Sequence, residues 1–245
     1  MRSRGLLLFS AFSAASLALL IGLGVWQLQR LEWKQGLIAQ IEARAHAEPV
    51  TLKEAVTRAK AGEDVGYLRV RVEGRFDNSK ERHLYAVSDG TLGWHVITPL
   101  KTPEGEVVLV DRGFVPDALK EPSSRAQGEI NDEVAVTGLA RAPDTQGRFI
   151  PDNEPAENRW FWRDLDAMSR SMFPAGAPDI APFILEAERS DIPGGWPLGG
   201  QTRLDLPNNH LQYALTWFLL ALCLVVIYVI YVRSRLRAAC PGQLC

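Results

Sequence analysis

Two long uncharged stretches, one near each end of the chain, constrain its fold more than any other feature. Residues 5–26 and 211–232 are each 22 residues long and contain no Asp, Glu, Lys or Arg. An α-helix rises about 1.5 Å per residue, so each stretch spans about 33 Å, enough for a hydrocarbon core of about 30 Å. A cleaved signal peptide is the alternative for the first stretch, but an apolar run beyond about 15 residues favours an uncleaved anchor. We therefore predict two transmembrane helices.

The charges around these stretches predict their orientation. The basic residues that flank them on the terminal sides are Arg2, Arg4, Arg233, Arg235 and Arg237. The positive-inside rule then places both termini in the cytoplasm, or in the matrix for an organelle. Between Arg30 and Asp205 lie all 29 acidic residues and 22 of the 27 basic ones, giving that section a formal net charge of −7. We predict a transmembrane helix over 5–26, an extracytoplasmic domain over 27–210, a second transmembrane helix over 211–232 and a cytoplasmic tail over 233–245.

The first helix carries two further patterns. Small residues at Ala14, Ala18 and Gly22 form a stripe that permits close contact with another helix, which we expect to be the second span. A helical period then follows over 28–46, which predicts that the helix continues beyond the membrane; the residues spaced by three and four are Leu31, Gln35, Ile38, Ile41 and Arg44.

The middle section alternates between strand and turn patterns. Leu68, Val70 and Val72 alternate with charged residues, which is typical of a half-buried strand. Similar patterns, separated by short turns, predict strands over 83–87, 94–98, 107–111, 133–139 and 183–187, and helices over 52–60 and 164–172. We expect an α+β domain with a mostly antiparallel β-sheet or partial barrel. Gly113 follows a predicted strand, where a positive φ is common.

Composition and motifs exclude several classes of function. The formal net charge of −2 and the lack of a Lys/Arg-rich run exclude a generally basic nucleic-acid binder. The middle section contains no cysteine, and therefore no disulfide, CxxC or CxxCH motif. No GxSxG, P-loop or GxGxxG occurs, and the scattered carboxylates are expected to face solvent. We predict that the chain is not an enzyme, although a membrane enzyme acting on a lipid or haem intermediate is an alternative.

Two methionines provide a second alternative. Met168 and Met172 are four residues apart, so they lie on one face of the predicted helix. Thioethers are soft ligands suited to a cuprous ion, which would indicate a copper-delivery protein. Apolar packing of both side chains is the competing interpretation.

His210 is the strongest candidate site residue. It opens the second span at the predicted outer edge of the membrane, and it shares one helix face with Tyr213, Ala214 and Trp217. An imidazole beside aromatic rings could seat a haem with His210 as axial ligand to the iron. Residues of the first helix could complete the site, with cations facing the propionates; they are Trp26, Arg30, Trp33 and Lys34. An interfacial histidine above an aromatic belt is the competing interpretation.

Six motifs, in order along the chain, resemble those of one known family. They are 24–34 (GVWQLQRLEWK), 72–76 (VEGRF), 93–100 (GWHVITPL), 108–116 (VLVDRGFVP), 158–164 (NRWFWRD) and 208–218 (NNHLQYALTWF). The ordered set resembles the Surfeit-locus protein-one family of cytochrome c oxidase assembly factors.

This resemblance implies a function and a ligand. It implies a non-enzymatic chaperone that binds haem a as cargo through His210 and helps build the haem a-containing catalytic subunit of the oxidase. Its implied partners are that subunit, the haem a synthase and membrane lipid. His95 is assigned no ligand role. The chain begins almost at the first stretch, without a mitochondrial transit peptide, so we expect a bacterial inner membrane and a periplasmic domain.

Overall fold

A computed structural model describes residues 2–176, 178–202, 204 and 206–239 of the chain. These residues form two compact units. One consists of the two terminal helices, the first of them only as far as Gln40, and the other extends from Ile41 to Leu204. The end of the predicted cytoplasmic tail, residues 240–245 with two of the three cysteines, lies outside the described residues.

The terminal helices are both long and apolar enough to cross a membrane. The first, α1, extends without a break over Arg2–Ala45, which confirms the predicted continuation beyond the uncharged stretch. The last, α4, extends over His210–Ala239. Candidate spans of 41 and 28 residues, Gly5–Ala45 and His210–Arg237, lie within them.

Helices α1 and α4 pair antiparallel along a heptad seam. Ser10 Oγ lies 2.8 Å from Tyr228 Oη, and Gln27 Oε1 lies 2.7 Å from His210 Nδ1. On α1 most buried and half-buried positions recur at alternating intervals of three and four, as in a coiled coil, with Ser16 and Leu23 half-buried beside them. The recurring positions are Leu6, Ser10, Ser13, Leu17, Leu20, Gly24, Gln27, Leu31 and Lys34. Gly24 lets the backbone approach the ring of Phe218, whose nearest atom would lie 2.5 Å from an added Cβ.

The predicted small-residue stripe is not the contact between the helices. Ala14 and Ala18 are exposed, and nothing lies within 4 Å of where a Cβ of Gly22 would be. The stripe lies on a different face from the heptad seam, and Gly24 provides the close approach instead. The expectation of a helix pair is confirmed, and the residues chosen for it are wrong.

The second unit is built on a closed β-barrel. Its elements are β1 (Val50–Thr51), α2 (Leu52–Lys60), β2 (Arg69–Phe76), β3 (Arg82–Ser88), β4 (Thr91–Lys101), β5 (Val107–Pro116), β6 (Glu133–Arg141), β7 (Arg159–Trp160), α3 (Leu165–Met172) and β8 (Ile180–Ala187). The sheet order is β1-β2-β6-β8-β5-β4-β3-β7. A further pairing of β2 with β4 closes five strands into a mixed barrel, in which only β5 and β8 are parallel.

The predicted fold class is confirmed, with corrections of detail. Each predicted strand and helix of the domain is present, and most strands extend beyond the predicted bounds. The two-residue strands β1 and β7 were not predicted. Gly113 has a positive φ of 117°, as expected, but it lies within β5 rather than in a turn after it.

Apolar side chains cover both faces of the barrel wall at β5 and β8. Val108 and Val110 share one buried cluster with Phe183, whereas Leu109 and Ile184 share another. Helix α2 contributes to the first cluster and α3 to the second. Because β5 and β8 are covered on both sides, their sequences are continuous apolar runs rather than alternating ones.

Candidate functional site

The start of α4 places His210 against α1. The imidazole is half-buried, and its Nδ1 lies 2.7 Å from Oε1 of Gln27. An amide oxygen accepts hydrogen bonds but does not donate them, so this contact requires a proton on Nδ1. The lone pair on Nε2 is then free to bind a metal. Gln27 lies within the first family-like motif but was not predicted as a site residue. The feature that could have indicated it is a polar side chain on the face of α1 that packs against α4.

One flank of α1 presents a cation between two indoles. The Arg30 guanidinium lies 5.8 Å from the ring centroid of Trp26 and 5.4 Å from that of Trp33. These contacts are in the range of cation–π interactions. Both rings remain accessible, with exposed fractions of 47% for Trp26 and 59% for Trp33. The arginine is exposed and pre-positioned to bind an anion.

The predicted aromatic residues of α4 lie beside the same flank. Since the helices are antiparallel and each residue advances about 100° around its axis, Tyr213 and Trp217 project to the same side of the seam as Arg30, whereas Trp26 and Trp33 lie farther around α1. Tyr213 is 54% exposed and Trp217 is half-buried. We call Trp26, Arg30, Trp33, Tyr213 and Trp217 the aromatic flank.

Two predicted contributors to a haem site have other roles. Ala214 is only 1% exposed because it lies in the seam, so its small side chain serves helix packing rather than a platform for a macrocycle. Lys34 donates a hydrogen bond from Nζ to the backbone oxygen of Pro207. This bond holds Lys34 beside the segment that precedes α4. Arg30 is therefore the cation that is available to a propionate.

The residues present fit a haem group. The site combines a histidine whose Nε2 carries the free lone pair, exposed aromatic rings on both helices, and a cation held between two of the α1 rings. An axial ligand, a stacking surface and a partner for a propionate are the contacts that a haem needs from a protein.

Met168 and Met172 do not form an accessible pair. They are 0% and 2% exposed and pack with Leu84, Trp160 and Ile184 in the cluster beneath α3. Among the described residues no group of three or more His, Cys, Asp or Glu side chains is placed to hold a metal. The structure supports the apolar-packing interpretation, and the copper-delivery alternative loses the observation on which it was based.

The barrel wall contains a buried ionic network that was not predicted. His95 Nδ1 lies 2.9 Å from both carboxylate oxygens of Asp111, and Arg163 donates to Glu186 over 2.6 Å. Burial alone would lower the pKa of His95, but the charge of Asp111 and its hydrogen bond outweigh burial and raise it. Burial would likewise raise the pKa of Asp111, but His95 and Arg163 hold it below its usual value. The charged His95–Asp111 pair is therefore favoured.

A second buried network contradicts the expectation that the carboxylates face solvent. Arg125 donates to Glu81 over 2.5 Å and also to Glu129, and both carboxylates are largely buried. His83 lies 2.8 Å from the same Glu81 oxygen. Burial raises the pKa of Glu129 despite the nearby arginines. These contacts tie the loop after β5 to the start of β3, which indicates a role in holding the domain together.

The chain is similar to known proteins over most of its length. A family profile described as "SURF1 family" matches residues 14–222. "Surfeit locus protein 1" of Homo sapiens is 41% identical over 214 residues, covering 80% of this chain and 68% of that protein. The Mus musculus protein of the same name is 38% identical, covering 85% and 70%. A "SURF1-like protein" of Monosiga brevicollis is 35% identical, covering 91% and 88%.

Proposed function

The chain belongs to the SURF1 family, as its ordered motifs predicted, and from this premise we propose that it is an assembly factor for cytochrome c oxidase. Its cargo in this proposal is haem a, destined for the catalytic subunit of the oxidase. The observation that carries the proposal is the hydrogen bond between His210 Nδ1 and Gln27 beside the aromatic flank.

Each residue of the site has a distinct role in holding the cargo. His210 offers Nε2 as an axial ligand to the haem iron, the directional contact of the set. The exposed rings of Trp26, Trp33 and Tyr213 provide apolar surface for the macrocycle. Arg30 pairs with a propionate while its guanidinium stays over the indoles. Because the cargo must be released, a site that is open on one flank suits transfer better than an enclosed cavity.

We propose that the protein performs no chemical transformation of its own. The His95–Asp111 pair resembles part of a catalytic arrangement, but the aspartate is 1% exposed and its carboxylate is also bonded to the backbone N–H of Gly113. The pair is thus held inside the barrel wall by structural contacts. Holding haem a near the membrane surface and presenting it to the oxidase subunit requires binding only.

The proposed location follows from the charges at the ends of the two apolar helices. Both termini lie on the cytoplasmic side and the acidic domain on the opposite side, the periplasm if the membrane is a bacterial inner membrane. Partners on that side are the oxidase catalytic subunit and, for delivery of the cargo, the haem a synthase. The exposed apolar side chains of α1 and α4 contact membrane lipid.

The absorption spectrum of protein purified from cells that make haem a tests this function. We expect a haem a spectrum from the unaltered chain and its loss in His210→Ala, with the protein still folded and inserted in the membrane. Trp217→Ala and Arg30→Ala should each weaken binding partially, because the other contacts of the flank remain. His46 is exposed and directly follows α1, so His46→Ala is the matched control and should retain haem. Full haem content in His210→Ala would refute the ligand assignment.

A further inference from the structure

Gln27 and His210 form a pair whose hydrogen bond determines which imidazole nitrogen is free. We propose that Gln27 is a positioning residue that fixes the Nδ1–H tautomer of His210 and so directs Nε2 toward the haem iron. This inference deepens the proposed function and rests on it. It assigns a role to Gln27, which contacts His210 and not the haem.

The chemistry of the neutral imidazole makes the choice of tautomer decisive. One ring nitrogen carries the proton and the other carries the lone pair, and only the latter can bind iron. With Gln27 Oε1 2.7 Å from Nδ1, the proton belongs on Nδ1 and the lone pair on Nε2. If the amide were reversed, its NH₂ group would face Nδ1, and the proton on Nε2 would block that nitrogen as a ligand.

Packing of the helix seam holds the pair together. One helical turn below Gln27 on α1 lies Gly24, and one turn below His210 on α4 lies the buried Ala214. At this level Gly24 accommodates the ring of Phe218 and Ala214 is buried, so the helices pack closely and the side chains of the next level stay within hydrogen-bond reach. Both Gln27 and His210 are half-buried, so water competes less for the bond than on an open helix face.

A hydrogen bond of this type affects the strength of a metal ligand as well as its tautomer. A metal-binding histidine that donates its other N–H to an acceptor is held in one orientation and becomes more basic. Loss of such an acceptor typically costs about 10–100-fold in metal affinity. We expect a loss of that size in haem affinity when Gln27 can no longer accept.

Three variants separate positioning from helix packing. Gln27→Leu keeps a similar volume and removes the acceptor, whereas Gln27→Glu keeps an acceptor at the same place. Ser10→Ala is the matched control, because it removes another interhelical side-chain bond, to Tyr228, far from His210. Each is purified as the full chain in detergent, with His210→Ala used to assign the His210 signals among the four histidines.

Two measurements are made on each protein. ¹⁵N NMR of the haem-free chain reports which nitrogen of His210 carries the proton, and titration with ferric haem a reports affinity. We expect Nδ1–H in the unaltered chain, Gln27→Glu and Ser10→Ala, and a shift toward Nε2–H in Gln27→Leu. Haem affinity should fall about 10–100-fold in Gln27→Leu only.

The outcomes distinguish this inference from the proposed function. If Gln27→Leu leaves the tautomer and haem affinity unchanged while His210→Ala abolishes binding, the role of Gln27 is refuted and haem binding stands. An equal loss of haem affinity in Ser10→Ala and Gln27→Leu would show that Gln27 acts only through helix packing, which would also refute its positioning role. If His210→Ala binds haem a as well as the unaltered chain, the proposed ligand itself is wrong.

Discussion

Replacing Gly113 by alanine should destabilise the barrel through the backbone rather than through a lost side chain. Gly113 has a φ of 117°, in the region that side chains rarely adopt. A Cβ added there would lie 2.0 Å from the backbone oxygen of Leu198 and 2.5 Å from the backbone nitrogen of Gly199. The neighbouring Phe114 exchanges two backbone hydrogen bonds with Leu198, at 3.0 and 2.8 Å, so the segment cannot move away without loss.

The cost has three components. The positive φ costs a residue with a Cβ about 1–2 kcal/mol. Forcing the added carbon against fixed backbone costs about 1–3 kcal/mol, as in an overpacked core. The reduced entropy of the unfolded chain offsets about 0.4–1 kcal/mol. We therefore expect Gly113→Ala to lower the free energy of unfolding by about 1–4.6 kcal/mol, against the 5–15 kcal/mol typical of a domain.

Gly105→Ala is the matched control. Gly105 also has a positive φ, 93°, but nothing lies within 4 Å of its added Cβ. Gly105→Ala should therefore carry only the cost of the positive φ, about 0–1.6 kcal/mol after the entropy offset. Urea unfolding of the full chain in mild detergent, followed by tryptophan fluorescence, gives both values, and haem bound per folded molecule should not change. Equal losses in the two variants would refute the argument that the contact with Leu198 constrains this position.

Three further outcomes are expected. Because the pKa of His95 is raised and that of Asp111 is lowered, the charged pair stabilises the fold at pH values between the two folded-state pKa values. The free energy of unfolding, measured with urea from about pH 6 to 9, should fall as the pH rises through the folded-state pKa of His95, and His95→Gln should remove that fall. The same pH dependence in His95→Gln as in the unaltered chain would contradict this expectation. Gly24→Leu should disrupt helix pairing, measured by cross-linking of cysteines placed across the seam, while Gly22→Leu should not; equal cross-linking would show that the seam is misplaced. A reporter active only in the cytoplasm, fused after Asp117, should be silent, and strong activity there would overturn the proposed orientation.

The strands could be predicted from the sequence because their pattern is local. In β2 the alternation of Val70 and Val72 with charged residues matches the observed alternation of buried and exposed side chains. The closure of the barrel could not be predicted in this way. It depends on the pairing of Arg75 with Lys101 and of Phe76 with Leu100, between strands far apart along the chain, and no local pattern marks those positions.

The candidate site shows the same division between local and distant information. The spacing of His210, Tyr213 and Trp217 indicates one helix face, because helical periodicity is a local property. The position of Ala214 within the seam and the bond to Gln27 follow from a partner helix more than 180 residues away. The buried carboxylates of Glu81 and Asp111 were likewise unpredictable, since only the fold brings their basic partners to them.

The position of β8 in the barrel has a consequence for how the domain is made. This strand is the last of the domain to be synthesised, yet it lies between β6 and β5 and completes the barrel. Until it arrives, the sheet is open and β5 and β6 each present an unpaired edge, which favours association with other chains. The barrel therefore cannot close until residue 187 has been synthesised, and a chain interrupted after β6 should be aggregation-prone rather than partly functional.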